Sequence, residues 1–246
     1  MYFVYIFYMD LINFLGVTKR FGNFVVLDNL NFNVKKGDLI GLIGKSGEGK
    51  STFLKVLIGF YDINSGKILY NGSDITRKNK LSKIVGFCTQ ENSFYENLTI
   101  DENLKYYGKL YNITRIQLKK RIEELLDMVS LIERRNAVAG NLSGGMKRRL
   151  DFAISLLHNP ELLILDEPTA GLDPLVRKNI EELIEKINNS GKTIIISSHM
   201  LDFIENKCKT IALLSKGKLN QINIDLLRKR YPKKSLNDIF PYIVKS

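Results

Sequence analysis

A glycine-rich segment between a predicted strand and a predicted helix carries the clearest chemical signal in the sequence. It reads Gly44-Lys45-Ser46-Gly47-Glu48-Gly49-Lys50-Ser51-Thr52 and fits the pattern GxxxxGK[ST]. Glycines let the backbone approach a phosphate closely, so that backbone N–H groups and the start of the helix face the negative charge. We expect Lys50 to reach the β- and γ-phosphates of a nucleotide and the Ser51 hydroxyl to bind Mg²⁺. By itself, the pattern predicts nucleotide binding and no particular reaction.

Two adjacent carboxylates, Asp166 and Glu167, follow the apolar run Leu-Leu-Ile-Leu at residues 162–165. The run predicts a buried strand, and open α/β sheets bind ligands at the carboxyl ends of their strands. We expect Asp166 to complete the magnesium shell. Glu167 is then placed to act as a general base on the attacking water, an effect worth about 10²–10⁴-fold. The alternative interpretation is a surface acidic pair that precedes Pro168.

A second glycine-containing segment, Leu142-Ser143-Gly144-Gly145-Met146, lies at the start of another predicted helix. Serine is a good N-cap, and two glycines leave backbone donors accessible, so this helix start is also suited to bind an anion. One such loop is enough to hold a triphosphate. The second one therefore needs an explanation of its own.

The pattern of elements predicts an α/β fold. Short strands are expected over residues 11–17, 25–34, 39–43 and 66–72, and helical spacing of apolar residues covers about 97–139. Further on, strands at 162–165, 193–197 and 210–215 alternate with helices at 50–59, 144–157, 174–188 and 200–206. Apolar strands that alternate with helices indicate a mostly parallel sheet covered on both faces.

The amino-acid composition bears on which classes of molecule this protein binds. The net charge is +11, but aromatic residues do not interleave with the basic clusters as a single-strand nucleic-acid surface requires. Cys88 and Cys208 lack metal-ligand spacing, and we expect both to be reduced thiols. The apolar stretch MYFVYIFYM at the start is too short to span a membrane, and Met9 is the expected natural start.

The order and spacing of these motifs resemble the nucleotide-binding domains of ATP-binding cassette (ABC) transporters over nearly the whole chain. GKSGEGKST is similar to the Walker A loop, LLILDE to Walker B, LSGGM to the signature, and Ala170-Gly171-Leu172-Asp173 to the D-loop. The resemblance implies a P-loop NTPase fold with a mostly parallel core sheet, an N-terminal antiparallel β subdomain and a helical insert at about 97–157. It implies an ATP-binding domain over residues 9–220 and a short basic extension over 221–246. We expect the extension to pack on its own domain or a dimer mate, and the alternative is an element that contacts lipid.

The resemblance also implies roles for single residues. Gln90 is similar to the Q-loop glutamine, which contacts both nucleotide and metal, and His199 to the switch histidine. Phe21 stands where the family has an aromatic residue that stacks on adenine. The predicted site is therefore catalytic Glu167 and His199; nucleotide-binding Phe21, residues 44–52 and Gln90; metal-binding Ser51, Gln90 and Asp166; and Ser143, Gly144 and Gly145 on the ATP of a partner subunit. Met146 and Glu48 depart from the usual family residues without removing a catalytic group.

The implied activity is hydrolysis of ATP with Mg²⁺ by a subunit that powers export through a separate membrane subunit. A second ATP-binding subunit, identical or not, completes the pair, and the segment Glu91 to Leu98 transmits motion to the membrane partner. We expect no nucleic-acid partner and a cytoplasmic location at the inner face of the membrane. The alternative is a soluble cassette ATPase that acts on ribosomes or nucleic acid. A catalytically dead binding module is disfavoured by Glu167 and His199, and a simple P-loop kinase leaves LSGGM unexplained.

Overall fold

The computed structural model describes residues 10–76 and 81–244, and it divides into two compact units. Of the described residues, the first unit contains 10–76, 81–82 and 188–244, and the second contains 83–187. The prediction that Met9 is the natural start concerns residues outside those described. Among the residues described, no helix is long and apolar enough to cross a membrane.

The first unit contains an antiparallel sheet built on a long hairpin. Its strands are β1 (Asp10–Phe21), β2 (Phe24–Lys35), β4 (Ser65–Tyr70) and β5 (Ser73–Asp74), in the order β2-β1-β4-β5. Phe14 and Phe32 on the hairpin pack on Phe53 of helix α1 (Lys50–Leu57), with ring centroids 5.6 and 5.3 Å from that of Phe53. The antiparallel sheet expected near the N-terminus is present.

Parallel strands lie beside the hairpin in the same unit. Strand β3 (Leu39–Ile43) pairs in parallel with β8 (Thr193–Ser197) on one side and with β9 (Thr210–Ser215) on the other. Strand β10 (Lys218–Asn223) adds to β9 in antiparallel orientation. Every residue of β3 and β8 is buried, as a near-continuous apolar run in a covered parallel sheet requires. The predicted bounds of β3, β8 and β9 are confirmed.

The second unit combines a parallel strand pair with four long helices. Strands β6 (Val85–Cys88) and β7 (Leu162–Asp166) run in parallel, and β6 is preceded by the single turn α2 (Leu81–Ile84). The helices are α3 (Ile100–Leu110), α4 (Arg115–Met128), α5 (Gly144–Leu156) and α6 (Pro174–Asn189). The apolar stripe predicted for α4 is buried, with Ile122, Leu125 and Leu126 fully covered. Helix α3 begins at a capping box formed by Thr99 and Glu102.

The chain after β10 folds into two helices that were not predicted from the sequence, α8 (Ile224–Arg230) and α9 (Leu236–Ile243). Helix α9 lies against α7 (Leu201–Lys207), and Leu236 and Ile239 are buried. The backbone N–H of Leu236 donates to the carboxylate of Glu205 at 2.8 Å, and the Asn237 amide donates to Asp202 at 2.5 Å. The basic extension therefore packs on its own unit.

Candidate functional site

The glycine-rich loop leaves β3 at a position where a side chain does not fit. A Cβ added to Gly44 would lie 2.4 Å from the backbone oxygen of Leu214 in β9. Gly47 and Gly49 have φ angles of 84° and 98°, a left-handed conformation that glycine adopts without steric cost. A Cβ on Gly49 would also lie 2.8 Å from Val26. These three glycines are therefore required by the geometry of the loop itself.

Lys50 bends back across this loop. Its ammonium donates to the carbonyl oxygens of Gly44 at 2.7 Å and Lys45 at 3.0 Å. Helix α1 begins at Lys50, and its N-cap is Gly49, which has no side chain to cap the first N–H groups. Those N–H groups and the ammonium form a cationic cradle of the kind that binds phosphate oxygens. Ser51, in the first turn of α1, is exposed.

Glu48 makes a contact outside the glycine-rich loop. Its carboxylate accepts a hydrogen bond from the backbone N–H of Lys216, in the turn between β9 and β10. This contact anchors the loop to the parallel strands of the same unit. Of the other loop residues, Lys45 and Ser46 are exposed and Thr52 is half-buried.

Two further predicted residues belong to the first unit. Phe21 ends β1 with 44% of its surface exposed, and its ring meets the Tyr61 ring edge-on at 5.2 Å. The Lys19 ammonium lies 4.8 Å from the centre of the Phe21 ring, a favourable cation–π distance.

His199 is exposed in the loop between β8 and α7, next to Ser198, whose hydroxyl accepts from the N–H of Met200 at 2.9 Å.

In the second unit, the predicted acids lie at the end of β7. Asp166 is the last residue of the strand, and Glu167 follows it with a φ angle of 47°. A positive φ is uncommon for a residue with a side chain, and such strain concentrates at functional sites. Both side chains are half-buried. The turn continues with the N–H of Ala170 donating to the Glu167 carbonyl at 3.2 Å.

Gln90 is exposed two residues after β6 ends. Beside it, the hydroxyl of Thr89 donates to the carbonyl of Glu91 at 2.6 Å and closes a tight local turn. The predicted Q-loop residue therefore follows a buried strand, as Asp166 and Glu167 do in the same unit.

The signature segment opens α5 as predicted. The Ser143 hydroxyl accepts from the backbone N–H of Met146 at 3.4 Å and caps the helix, so the Met146 side chain takes no part in the cap. Ser143 and Gly144 are exposed. A Cβ on Gly145 would lie 2.6 Å from Val176, so glycine allows α5 to approach α6 closely. Asp173 of the predicted D-loop caps α6 by accepting from the N–H groups of Leu175 and Val176 at 3.1 and 3.0 Å.

Each unit thus brings part of the predicted set together. The first holds Phe21, residues 44–52 and His199, and the second holds Gln90, residues 143–145, Asp166 and Glu167. Arg148 and Asp151 on α5, which were not predicted from the sequence, contact the residues around Gln90 and Asp166. Two charges that replace apolar residues on the buried side of a helix were the signal that could have identified them.

The two cysteines are buried and chemically quiet. Burial raises the pKa of Cys88 and of Cys208 to about 12, so both remain protonated thiols. A buried thiol with a raised pKa is a poor nucleophile.

Most of this chain is similar in sequence to known proteins. The family model described as "ABC transporter" matches residues 27–170. The linearmycin resistance ATP-binding protein of Bacillus subtilis is 38% identical over 205 residues, which cover 83% of this chain and 66% of that protein. The Nod factor export ATP-binding protein I of Rhizobium sp. is 36% identical over 208 residues, which cover 84% of this chain and 68% of that protein.

The fold has counterparts among solved structures. A structure described as the ATP binding subunit of an ABC transporter superposes with a TM-score of 0.82 and 27% identity, and the match covers 94% of this chain and 98% of that one. The α/β class predicted from the sequence is confirmed. The chain spans about two thirds of the two relatives named above, 66% and 68%.

Proposed function

This chain belongs to the ABC transporter family, and from that premise we propose that it is an ATP-hydrolysing subunit that powers export through a separate membrane protein. The observation that carries the proposal is the loop over residues 44–52, in which Lys50 bends over an uncapped helix start. Such a cradle recognises a triphosphate by backbone N–H groups and one ammonium.

In the first unit, the proposed role of each residue follows from the chemistry of its side chain or backbone groups. The N–H groups at the start of α1 and the Lys50 ammonium bind the β- and γ-phosphates, and the Ser51 hydroxyl is an oxygen donor for Mg²⁺. Phe21 supplies an apolar face for the base, which requires no hydrogen bond to a particular base edge. His199, exposed at the end of β8, is a donor and acceptor for the γ-phosphate and for water.

In the second unit, Asp166 and Gln90 provide further oxygen donors. Hydroxyl, carboxylate and carbonyl oxygens are the ligands that Mg²⁺ prefers, and Mg²⁺ is commonly held by one or two protein groups together with phosphates, so the residues fit this ion. When bound, it neutralises charge that develops on the transferred phosphoryl group. Glu167 accepts a proton from the water whose oxygen bonds to the γ-phosphorus, while the bond from that phosphorus to the β–γ bridging oxygen breaks and ADP leaves.

The second glycine-containing segment implies a second subunit. Ser143 and Gly144 are exposed at the start of α5, and a loop of this type binds anions. We propose that it contacts the triphosphate held by another ATP-binding subunit, so that ATP closes the pair and hydrolysis releases it. The chain then works as a homodimer or heterodimer.

The names of the relatives support export as the process that ATP hydrolysis drives. One is named for Nod factor export and the other for linearmycin resistance. We propose a membrane partner encoded separately, a cytoplasmic location at the inner face of the membrane, and transmission of motion through Gln90 and residues 91–98. The alternative of a cassette ATPase that acts on ribosomes or nucleic acid has no support from these relatives.

The test is the substitution Glu167→Gln in the full chain. We expect ATP hydrolysis to fall at least about 100-fold because the general base is lost, while ATP still binds and the variant elutes as a dimer on a sizing column. The matched control is Glu182→Gln, which changes an exposed glutamate on α6. Near-normal hydrolysis by Glu167→Gln would remove Glu167 from the role of base, and failure of the wild-type chain to bind ATP would overturn the proposal.

A further inference from the structure

Residues 89–93, which we call the Gln90 segment, connect strand β6 to the turn before α3. Both ends of this segment are bound by side chains from helix α5, the helix that Ser143 caps. The contacts come from Arg148 and Asp151, which are three residues apart and therefore on the same face of the helix.

Arg148 bonds to three backbone carbonyls on two different connections. Its guanidinium donates to the carbonyl of Thr89 at the start of the Gln90 segment. It also donates to Asp166 at 3.1 Å and Pro168 at 2.8 Å, on either side of Glu167. The planar guanidinium presents several donors in a fixed fork, so it can bridge these carbonyls where a lysine cannot.

Asp151 binds the other end of the segment. One oxygen of its carboxylate accepts from the N–H of Ser93 at 2.9 Å and from the Ser93 hydroxyl at 2.6 Å. The Ser93 carbonyl accepts in turn from the hydroxyl of Tyr107 on α3. Ser93 is therefore fixed through its N–H, its hydroxyl and its carbonyl.

The two charged side chains are more deeply buried than a surface role requires. Arg148 is 6% exposed and Asp151 is 1% exposed. The second oxygen of Asp151 is buried without a hydrogen-bond partner among the described residues, and burial raises the pKa of this carboxyl group. An apolar residue at position 151 would avoid this cost, so the carboxylate is explained by what it holds.

We propose that Arg148 and Asp151 are positioning residues that clamp the Gln90 segment to helix α5. Through Arg148, the same helix also fixes the backbone on both sides of Glu167. The segment that carries Gln90 and the helix that carries the signature therefore move as one body, and a conformational change at one is transmitted to the other. This consequence rests on the proposed function. Neither residue is among those that we propose to bind the nucleotide.

The experiment measures hydrogen exchange and steady-state ATP hydrolysis on the full chain. The variants are Arg148→Lys, which cannot bridge three carbonyls, and Asp151→Ala, which removes the acceptor for Ser93. Asp151→Asn retains one carbonyl oxygen for Ser93 and serves as the conservative rescue. The matched control is Arg149→Lys, because Arg149 neighbours Arg148 on α5 but donates to Val129 at 2.9 Å.

We expect amide exchange in residues 89–93 to accelerate about tenfold or more in Arg148→Lys and Asp151→Ala, the size of effect that losing a charge-assisted hydrogen bond produces. Exchange elsewhere in α5 is expected to change little, and kcat to fall about tenfold while KM for ATP stays within about twofold. Asp151→Asn should restore most of both quantities, and Arg149→Lys should resemble the wild type.

Exchange in residues 89–93 that matches the Arg149→Lys control would overturn the clamp. So would loss of protection throughout α5 together with a raised KM, because that pattern indicates general unfolding rather than positioning. If the wild-type chain neither bound nor hydrolysed ATP, the proposed function would fail, whereas the exchange measurement would still decide whether the two residues hold the segment.

Discussion

The ammonium of Lys50 donates to the carbonyl oxygen of Gly44 at 2.7 Å, across the five loop residues that lie between them. A second bond to the carbonyl of Lys45 holds the side chain in the same place. The cation therefore already lies over the loop. A phosphate that binds there replaces the carbonyl oxygens of Gly44 and Lys45 as the hydrogen-bond partner of the ammonium. Little side-chain ordering remains to be paid on binding, which favours affinity.

Replacing Lys50 with methionine should weaken binding of ATP by about 10- to 150-fold, because a hydrogen bond to a charged group contributes about 1.5–3 kcal/mol. Equilibrium binding of a fluorescent ATP analogue measures this. The control is Lys67→Met on β4, which removes an equal charge from an exposed position of the same unit. Equal affinity in the two variants would contradict the assignment of Lys50 to the phosphates.

Gly44→Ala should disturb the loop through the backbone alone. The added Cβ would lie 2.4 Å from the Leu214 oxygen, and relief of such a clash costs about 1–3 kcal/mol of unfolding free energy. Because the loop must shift, ATP affinity should fall as well. The comparison is Gly37→Ala, where φ is 79° and no described heavy atom lies within 4 Å of the new Cβ. Urea unfolding should show a loss of about 1–2 kcal/mol there from the left-handed backbone, with ATP binding unaffected.

Phe21→Leu should weaken binding of ATP and GTP by similar factors of about 5- to 150-fold, because stacking on a base contributes about 1–3 kcal/mol and every base has a π face. Phe21→Tyr should bind nearly as well as the wild type. Competition assays with both nucleotides provide the measurement. A variant that lost affinity for ATP alone would show that the base is read by hydrogen bonds and not by stacking.

The sequence predicted the elements whose residues carry a strong local signal. Strands β3, β8 and β9 are apolar except for the threonine and serine at the two ends of β8 and of β9, and their bounds agree with the prediction. Strand β6 was missed because its four residues Val-Gly-Phe-Cys are too short to display a period. Helices α8 and α9 were missed because basic and polar residues dominate 224–235, while the contacts that stabilise α9, such as Leu236 on Glu205, join residues distant in the chain.

In the candidate site too, the residues with a local sequence signal were predicted and the residues without one were not. Residues 44–52 and 143–146 were identified because glycine and serine at helix starts have a local physical reason. Arg148 and Asp151 were not identified from the sequence, and both are buried. Their partners, Thr89 and Ser93, lie about sixty residues earlier. Spacing within one helix cannot reveal that contact.

A final prediction concerns pH and the ion pairs at the start of α3. Asp101 contacts the Lys105 ammonium at 2.6 Å and the Arg135 guanidinium at 2.6 Å. Burial alone would raise the pKa of Asp101, but the hydrogen bonds and charges of Lys105 and Arg135 outweigh it and lower the pKa. The folded chain then binds a proton less readily than the unfolded chain. The stability from this carboxylate is therefore present above its unfolded pKa and is lost as pH falls through the folded pKa.

Asp101→Asn should lower the free energy of unfolding by about 1 kcal/mol at pH 7, as for a partly exposed ion pair. The difference from the wild type should begin to shrink as pH falls below about 4, the usual range for an aspartate, because the unfolded wild-type chain then binds a proton at Asp101. It should disappear once the folded carboxylate is protonated as well. Urea unfolding at several pH values between 7 and 3 measures both effects. Asp127→Asn on α4, whose side chain is exposed, is the control and should track the wild type. A gap for Asp101→Asn that stayed constant across the series would show that its effect comes from packing and not from the charge.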